Sequence, residues 1–162
     1  MRVSWALSGV GGIEGVLREA GLCERAGLAG VWYCDYQAPF SGTLELFVVL
    51  SQLAARTKEC FIGSLVTDVL RRRPIVIAHA FATLSYLAPG RVVLGLGARG
   101  GLSQAPYGIP LSNLTSRLRE GIEVVRELWR ADPEAPAEYR GEYYRLGGRA
   151  LPSSLPVEYR YT

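Results

Sequence analysis

The sequence is poor in the side chains that hold metals. It has one histidine, His79, and three cysteines, Cys23, Cys34 and Cys60, with no C-x-x-C pair. A zinc site needs about four nitrogen, sulfur or oxygen ligands at workable spacing. None can be assembled here, so no metal is expected and the cysteines read as buried structural thiols. Lysine is nearly absent as well, with Lys58 alone among many arginines. No apolar run reaches the ~18 residues of a membrane span. The N-terminal "MRVSWALSGV" runs into a glycine-rich turn instead of a small-residue cleavage site, so it does not read as a signal peptide. These absences predict a cytoplasmic protein with no membrane partner. The net charge of +3 lacks the basic excess of a nucleic-acid binder. Internal repeats and low-complexity segments are also missing.

What is present suits a packed core. The 162 residues are 49% hydrophobic and 20% charged, the composition of one ordinary globular domain. Short apolar runs at residues 2–8, 30–34, 60–67 and 91–96 read as buried strands. Between them lie helical patterns. Residues 13–26 place Ile13, Val16, Leu17, Ala20 and Cys23 on one face. Thr43 is a candidate N-cap for a helix carrying Leu46, Phe47, Leu50, Leu53 and Ala54. Pro74 suits the first turn of a third helix, in which His79 reads as a packing residue. Residues 114–130 form a strongly amphipathic fourth helix. The alternation of strand and helix predicts a parallel sheet covered by helices. Residues 137–148 read as a small hairpin around Arg140-Gly141, and a fifth strand is expected near Pro156-Val157. The basic cluster Arg71-Arg72-Arg73 reads either as a solvated loop or as an anion-facing patch at the mouth of a site.

The fourth strand ends in "GLGARGG", which fits G-x-G-x-x-G. A dinucleotide-binding turn makes three demands. The glycines open a helix, lie in the first strand–helix turn, and precede an acidic residue at the end of the next strand. Here two prolines follow, the motif is on the fourth strand, and Glu120 lies inside a helical pattern. A barrel strand makes a different demand, a rim where ligand approaches backbone closely, and glycine permits that approach. Gly95, Gly97, Gly100 and Gly101 fit such a rim. They also fit a glycine-rich loop with no ligand.

Five stretches then occur together. They are "EAGLCERAGLAGVWYCDY" (19–36), "LAARTKECFIGSLVTDVLRRRPIVIAHAFATLSYLAPGRVVLGLGA" (53–98), "YGIP" (107–110), "RLREGIEVVRELW" (117–129) and "GEYYRLGG" (141–148). On them the chain resembles the bacterial-luciferase-like superfamily of flavin and deazaflavin oxidoreductases. It is most similar to the branch using coenzyme F420, which includes methylenetetrahydromethanopterin reductases.

The resemblance implies a (β/α)8 barrel, of which this chain supplies about four to five βα units. Residues 1–162 are expected to form one partial domain, truncated at its C-terminus. The implied reaction is hydride transfer between coenzyme F420 and a small-molecule substrate. FMN is the alternative cofactor, with monooxygenase chemistry. A non-catalytic remnant or assembly module of the same fold is the other reading. The implied cofactor ring packs on a bulge in the third strand, often with a non-prolyl cis peptide. That bulge falls on Ser64, Leu65, Val66 and Thr67, with Gly97, Ala98 and Arg99 on the neighbouring rim. Asp35 and Tyr36 occupy the place of the branch's usual Asp-His pair and are the candidate catalytic residues. Phenols ionise near pH ~10, so Tyr36 is a hydrogen-bond donor and a poor proton shuttle at neutral pH. Ala6 stands where the reductases often carry a carboxylate. Half a barrel leaves unpaired sheet edges, so a homo-oligomer or a complementing C-terminal half is the expected partner.

Overall fold

The computed structural model describes residues 2–36, 44–98, 108–109, 112–132 and 134–147. Four parallel strands alternate with four helices, as the apolar runs predict. The strands are β1 (Ser4–Ala6), β2 (Gly30–Tyr33), β3 (Phe61–Ser64) and β4 (Val92–Val93), in spatial order β1-β2-β3-β4. The helices are α1 (Gly12–Arg25), α2 (Leu46–Arg56), α3 (Pro74–Leu87) and α4 (Leu114–Arg130). A short antiparallel hairpin, β5 (Tyr139–Arg140) and β6 (Arg145–Leu146), follows. The expected fifth strand near Pro156 lies outside the described residues.

One hydrophobic core joins the sheet to its helices. Val31, Tyr33 and Ile62 meet Val16 and Ala20 of α1, Val49, Leu50 and Leu53 of α2, and Ile77 and Phe81 of α3. The register sets this alternation. Trp5, Val31, Ile62 and Val92 share one row, and the Trp5 indole donates to Glu19 of α1 (2.7 Å). The next row is Ala6, Trp32, Gly63 and Val93. Side chains of adjacent rows point to opposite faces, so this row lies on the side away from the helices.

Four details depart from the sequence reading. The first strand is not buried: Ser4, Trp5 and Ala6 are all exposed. It has a single neighbour, so its apolar letters are not covered. His79 is exposed on α3 and is not a packing residue. The second helix begins at Leu46, and its N-cap is Glu45, whose carboxylate accepts from Val48 N–H (2.9 Å). Thr43 lies outside the described residues. Cys23 and Cys60 are buried, but Cys34 is only half-buried. No helix among the described residues is long and apolar enough to cross a membrane.

Candidate functional site at the C-terminal rim

Parallel strands bring their C-terminal ends to one side of the sheet. The ends of β2, β3 and β4 therefore gather Asp35, Tyr36, Leu65, Val66, Thr67, Gly97 and Ala98. The third strand is interrupted where the resemblance places its bulge. Regular pairing stops at Ser64, and the Leu65–Val66 peptide is cis. Thr67 then rejoins the sheet. Its N–H donates to Gly95 O (3.0 Å), and Gly97 N–H donates to Thr67 O (2.9 Å).

The bulge splits the candidate residues into supports and surface. The Ser64 hydroxyl donates to Gly95 O (2.8 Å) and accepts from Gly95 N–H (2.9 Å), which ties β3 to the rim of β4. Thr67 is fully buried. Leu65 is 47% exposed, Val66 is half-buried and Ala98 is exposed. Among the described residues, no hydrogen bond reaches the Val66 N–H or the carbonyls of Leu65 and Val66. Gly97 backs this platform closely. A Cβ there would lie 2.6 Å from a Val66 methyl, nearer than real side chains pack. Arg99 lies outside the described residues.

Asp35 is the centre of a buried charge network. Its side chain is 1% exposed and accepts from the Thr67 hydroxyl (2.6 Å), Arg71 Nη2 (3.2 Å) and Arg72 Nη1 (2.7 Å). Arg71 also donates to the Asp35 carbonyl (2.9 Å) and pairs with Asp68. Asp68 in turn accepts from the Leu70 and Arg71 N–H groups (2.9 Å each). Arg72 pairs with Glu45 and lies 4.8 Å from the centre of the Phe47 ring. The Arg71 and Arg72 side chains are only 8% and 10% exposed. Neither sequence reading of the arginine cluster holds for these two. They face inward onto carboxylates, neither solvated nor open to an anion. Tyr36, the next residue after Asp35, is 37% exposed at the rim.

The sequence reading missed Asp68 and Glu45 as members of this site, and took Arg71 and Arg72 for a solvated loop or an anion-facing patch instead of partners of Asp35. The Asp68–Arg71 spacing of three was a local signal. The link to Asp35 crosses 36 residues and had none. It also missed Glu120, whose carboxylate accepts from the Glu142, Tyr143 and Tyr144 N–H groups (3.0, 2.9 and 3.2 Å). Desolvation pushes that carboxyl upward, the three backbone donors outweigh it, and the net displacement is below the ordinary glutamate value. Far from the rim, a cavity of about 440 Å³ lies at the starts of β2 and β3, beside Glu24, Cys60 and Phe61. Burial first, and then the Glu24 charge, push the Cys60 thiol up to about 11. No candidate site residue lines that cavity.

A parallel sheet with alternating helices, a broken third strand and a glycine-backed rim is the arrangement of part of a (β/α) barrel. The luciferase-like monooxygenase family matches residues 2–158, and the chain belongs to that family. It is 37% identical over 131 residues to a protein of Kineococcus radiotolerans named F420-dependent glucose-6-phosphate dehydrogenase, covering 76% of this chain and 38% of the relative. Among solved structures, an F420-dependent secondary alcohol dehydrogenase in complex with an F420–acetone adduct superposes with a TM-score of 0.82 at 25% identity. That match covers 96% of this chain and 50% of the other. An FMN-bound type II Baeyer–Villiger monooxygenase component from Pseudomonas putida shares the fold, with a TM-score of 0.77 at 17% identity, over 95% of this chain and 45% of its own. The chain thus spans half or less of the length of these proteins.

Proposed function

We propose that this chain supplies the deazaflavin-facing rim of an F420-dependent oxidoreductase acting on a small organic substrate. The observation that carries the reading is the Leu65–Val66 platform. It is apolar, with Leu65 exposed and Val66 half-buried, has backbone groups that find no partner among the described residues, and stands against a glycine where any Cβ would displace Val66. A flat heteroaromatic ring with polar edges fits such a surface. The names of the 37%-identical relative and of the 25%-identical structure support the same cofactor.

Coenzyme F420, when bound, supplies the capacity to accept or donate a hydride. The chain's own residues position and shield. Leu65 and Val66 would form an apolar floor for the ring, and Ala98 and Gly97, which carry little or no side chain, would leave room beside it. Ser64 and Thr67 fix that floor to β4 and to Asp35. Asp35 acts through its neighbours, holding the rim of β2 in register with the rim of β3. Tyr36, 37% exposed at the rim, is the proposed hydrogen-bond donor to substrate or cofactor. Such positioning lowers a barrier through orientation.

The test is a fluorescence and absorbance titration of the purified chain with coenzyme F420 and, separately, with FMN. Micromolar, saturable binding of the deazaflavin is the expected result. Saturable binding of FMN alone overturns the cofactor assignment. Binding of neither by a folded chain favours the reading as a non-catalytic module.

A further inference from the structure

The turn that follows the Leu65–Val66 platform is held from outside itself. Residues 67–71 lead from the broken strand to the arginines that bind Asp35, and Thr67, Asp68 and Val69 are all buried. Asp68 closes the turn by accepting from the Leu70 and Arg71 N–H groups. The Val69 carbonyl has no partner within the turn. Among the described residues it accepts one hydrogen bond, from the Tyr144 hydroxyl of the hairpin (3.0 Å), 75 residues along the chain. A buried acceptor that loses its donor keeps the cost of its desolvation.

The Val69 side chain is held by the same unit. α4 reaches it at Gly121, where a Cβ would lie 2.6 Å from a Val69 methyl, nearer than real side chains pack. The adjacent Glu120 grips the N–H groups of Glu142, Tyr143 and Tyr144. Tyr144 is therefore fixed twice, its backbone to α4 and its hydroxyl to the rim turn. Burial pushes its phenol up, against the lowering pull of Arg117 and Arg73, so the group stays an O–H donor. Another tyrosine of the hairpin makes the contrast. The Tyr139 hydroxyl donates to Glu123 on the exposed side of α4 (2.5 Å).

Val69 stands three residues after Val66 and two before Arg71. A shift at Val69 is carried to the platform on one side and to the Asp35 pair on the other. We propose that Tyr144 is a positioning residue of the rim. Its hydroxyl, on the Val69 carbonyl, holds residues 67–71 where Leu65 and Val66 receive the cofactor ring and Arg71 reaches Asp35. The binding consequence rests on the cofactor reading above; the link between hairpin and turn does not.

Y144F removes the hydroxyl and keeps the ring, and Y139F removes the same group where its bond ends on α4. Titration with coenzyme F420 and two-dimensional amide NMR compare both with the wild type, and far-UV circular dichroism follows the helical signal of each. Y144F binds about fivefold more weakly, as expected for one neutral hydrogen bond. Its amide signals at residues 67–71 shift, and the absorbance band of the bound coenzyme moves toward that of the free one. Y139F matches the wild type in all three. If Y144F loses its helical signal, G121A replaces it with the same expected changes, since a methyl there displaces Val69 while alanine favours the helix. A wild type that binds no F420 fails the cofactor reading alone, and the amide signals then decide. Unchanged signals at residues 67–71 in Y144F overturn the proposal. Where the wild type does bind, so does a folded Y144F that binds the coenzyme as tightly as Y139F.

Discussion

Arg72 binds Asp35 with one nitrogen and Glu45 with the other. Those carboxylates stand on either side of residues 37–43, at the end of β2 and at the N-cap of α2. One guanidinium therefore ties the end of β2 to the start of α2. Lysine cannot copy this, because its ammonium is a single point and not a planar fork. Removing one partner of a buried ion pair costs about 3–5 kcal/mol when the remaining charge is orphaned. Asp35 keeps Arg71 and Thr67, so R72M is expected to cost roughly 2–3 kcal/mol, lowering Tm by about 5–10 °C. Thermal unfolding with circular dichroism measures it. R72K restores less than half of the loss if the fork matters, and most of it if charge alone matters. At this scale the sequence showed Asp35 as a polar residue closing an apolar strand. It did not show the partners, because a charge network assembled across 36 residues has no local period.

The hairpin is held by the helix that precedes it, α4. Glu120 on α4 accepts three backbone N–H groups of the turn. Gly141 allows the approach, since a Cβ there would lie 2.2 Å from a Glu120 oxygen. The folded carboxyl titrates below the ordinary glutamate value. The stabilisation it gives is complete above that value and is lost as pH falls through the lowered one. Acidification is therefore expected to release the hairpin. Amide NMR signals of Tyr143 and Tyr144, followed from neutral pH downward, should broaden or shift in the acid range. E120Q, which has no carboxylate to protonate, should abolish that titration. An unchanged acid transition in E120Q contradicts the assignment. Among elements, α4 was legible to its terminal residues because its apolar stripe and charged face are unambiguous. The hairpin was legible from its aromatic alternation around Arg140-Gly141. β1 was misjudged because burial of a short apolar strand is decided by its neighbours, and here only β2 pairs with it. His79 was misjudged because it lies in an apolar helix whose outer side is as uncharged as its inner one.

The molecule as a whole presents an unusual surface. The side of the sheet away from the helices carries Ala6, Trp32 and Val93, with Leu65 at the rim. Ala6, Val93 and Leu65 are exposed and Trp32 is half-buried. In a closed barrel that side is the interior, and the chain covers 50% of the F420-dependent alcohol dehydrogenase it superposes on. The barrel class was readable from the order of elements. The break in the third strand was readable only through the family resemblance, since nothing in the letters "IGSLVT" separates a broken strand from a continuous one. The glycines of "GLGARGG" misdirect toward a dinucleotide turn. In the structure Gly97 continues the sheet through its bond to Thr67 and stands behind Val66.

The proposed function rests on the Leu65–Val66 platform, backed by Gly97, receiving the deazaflavin. A parallel titration of the wild type and G97V with coenzyme F420 tests it most directly, with far-UV circular dichroism recorded on both. Saturable micromolar binding by the wild type and at least tenfold weaker binding by G97V are expected, with helix content unchanged. Equal affinity in the two proteins would contradict it.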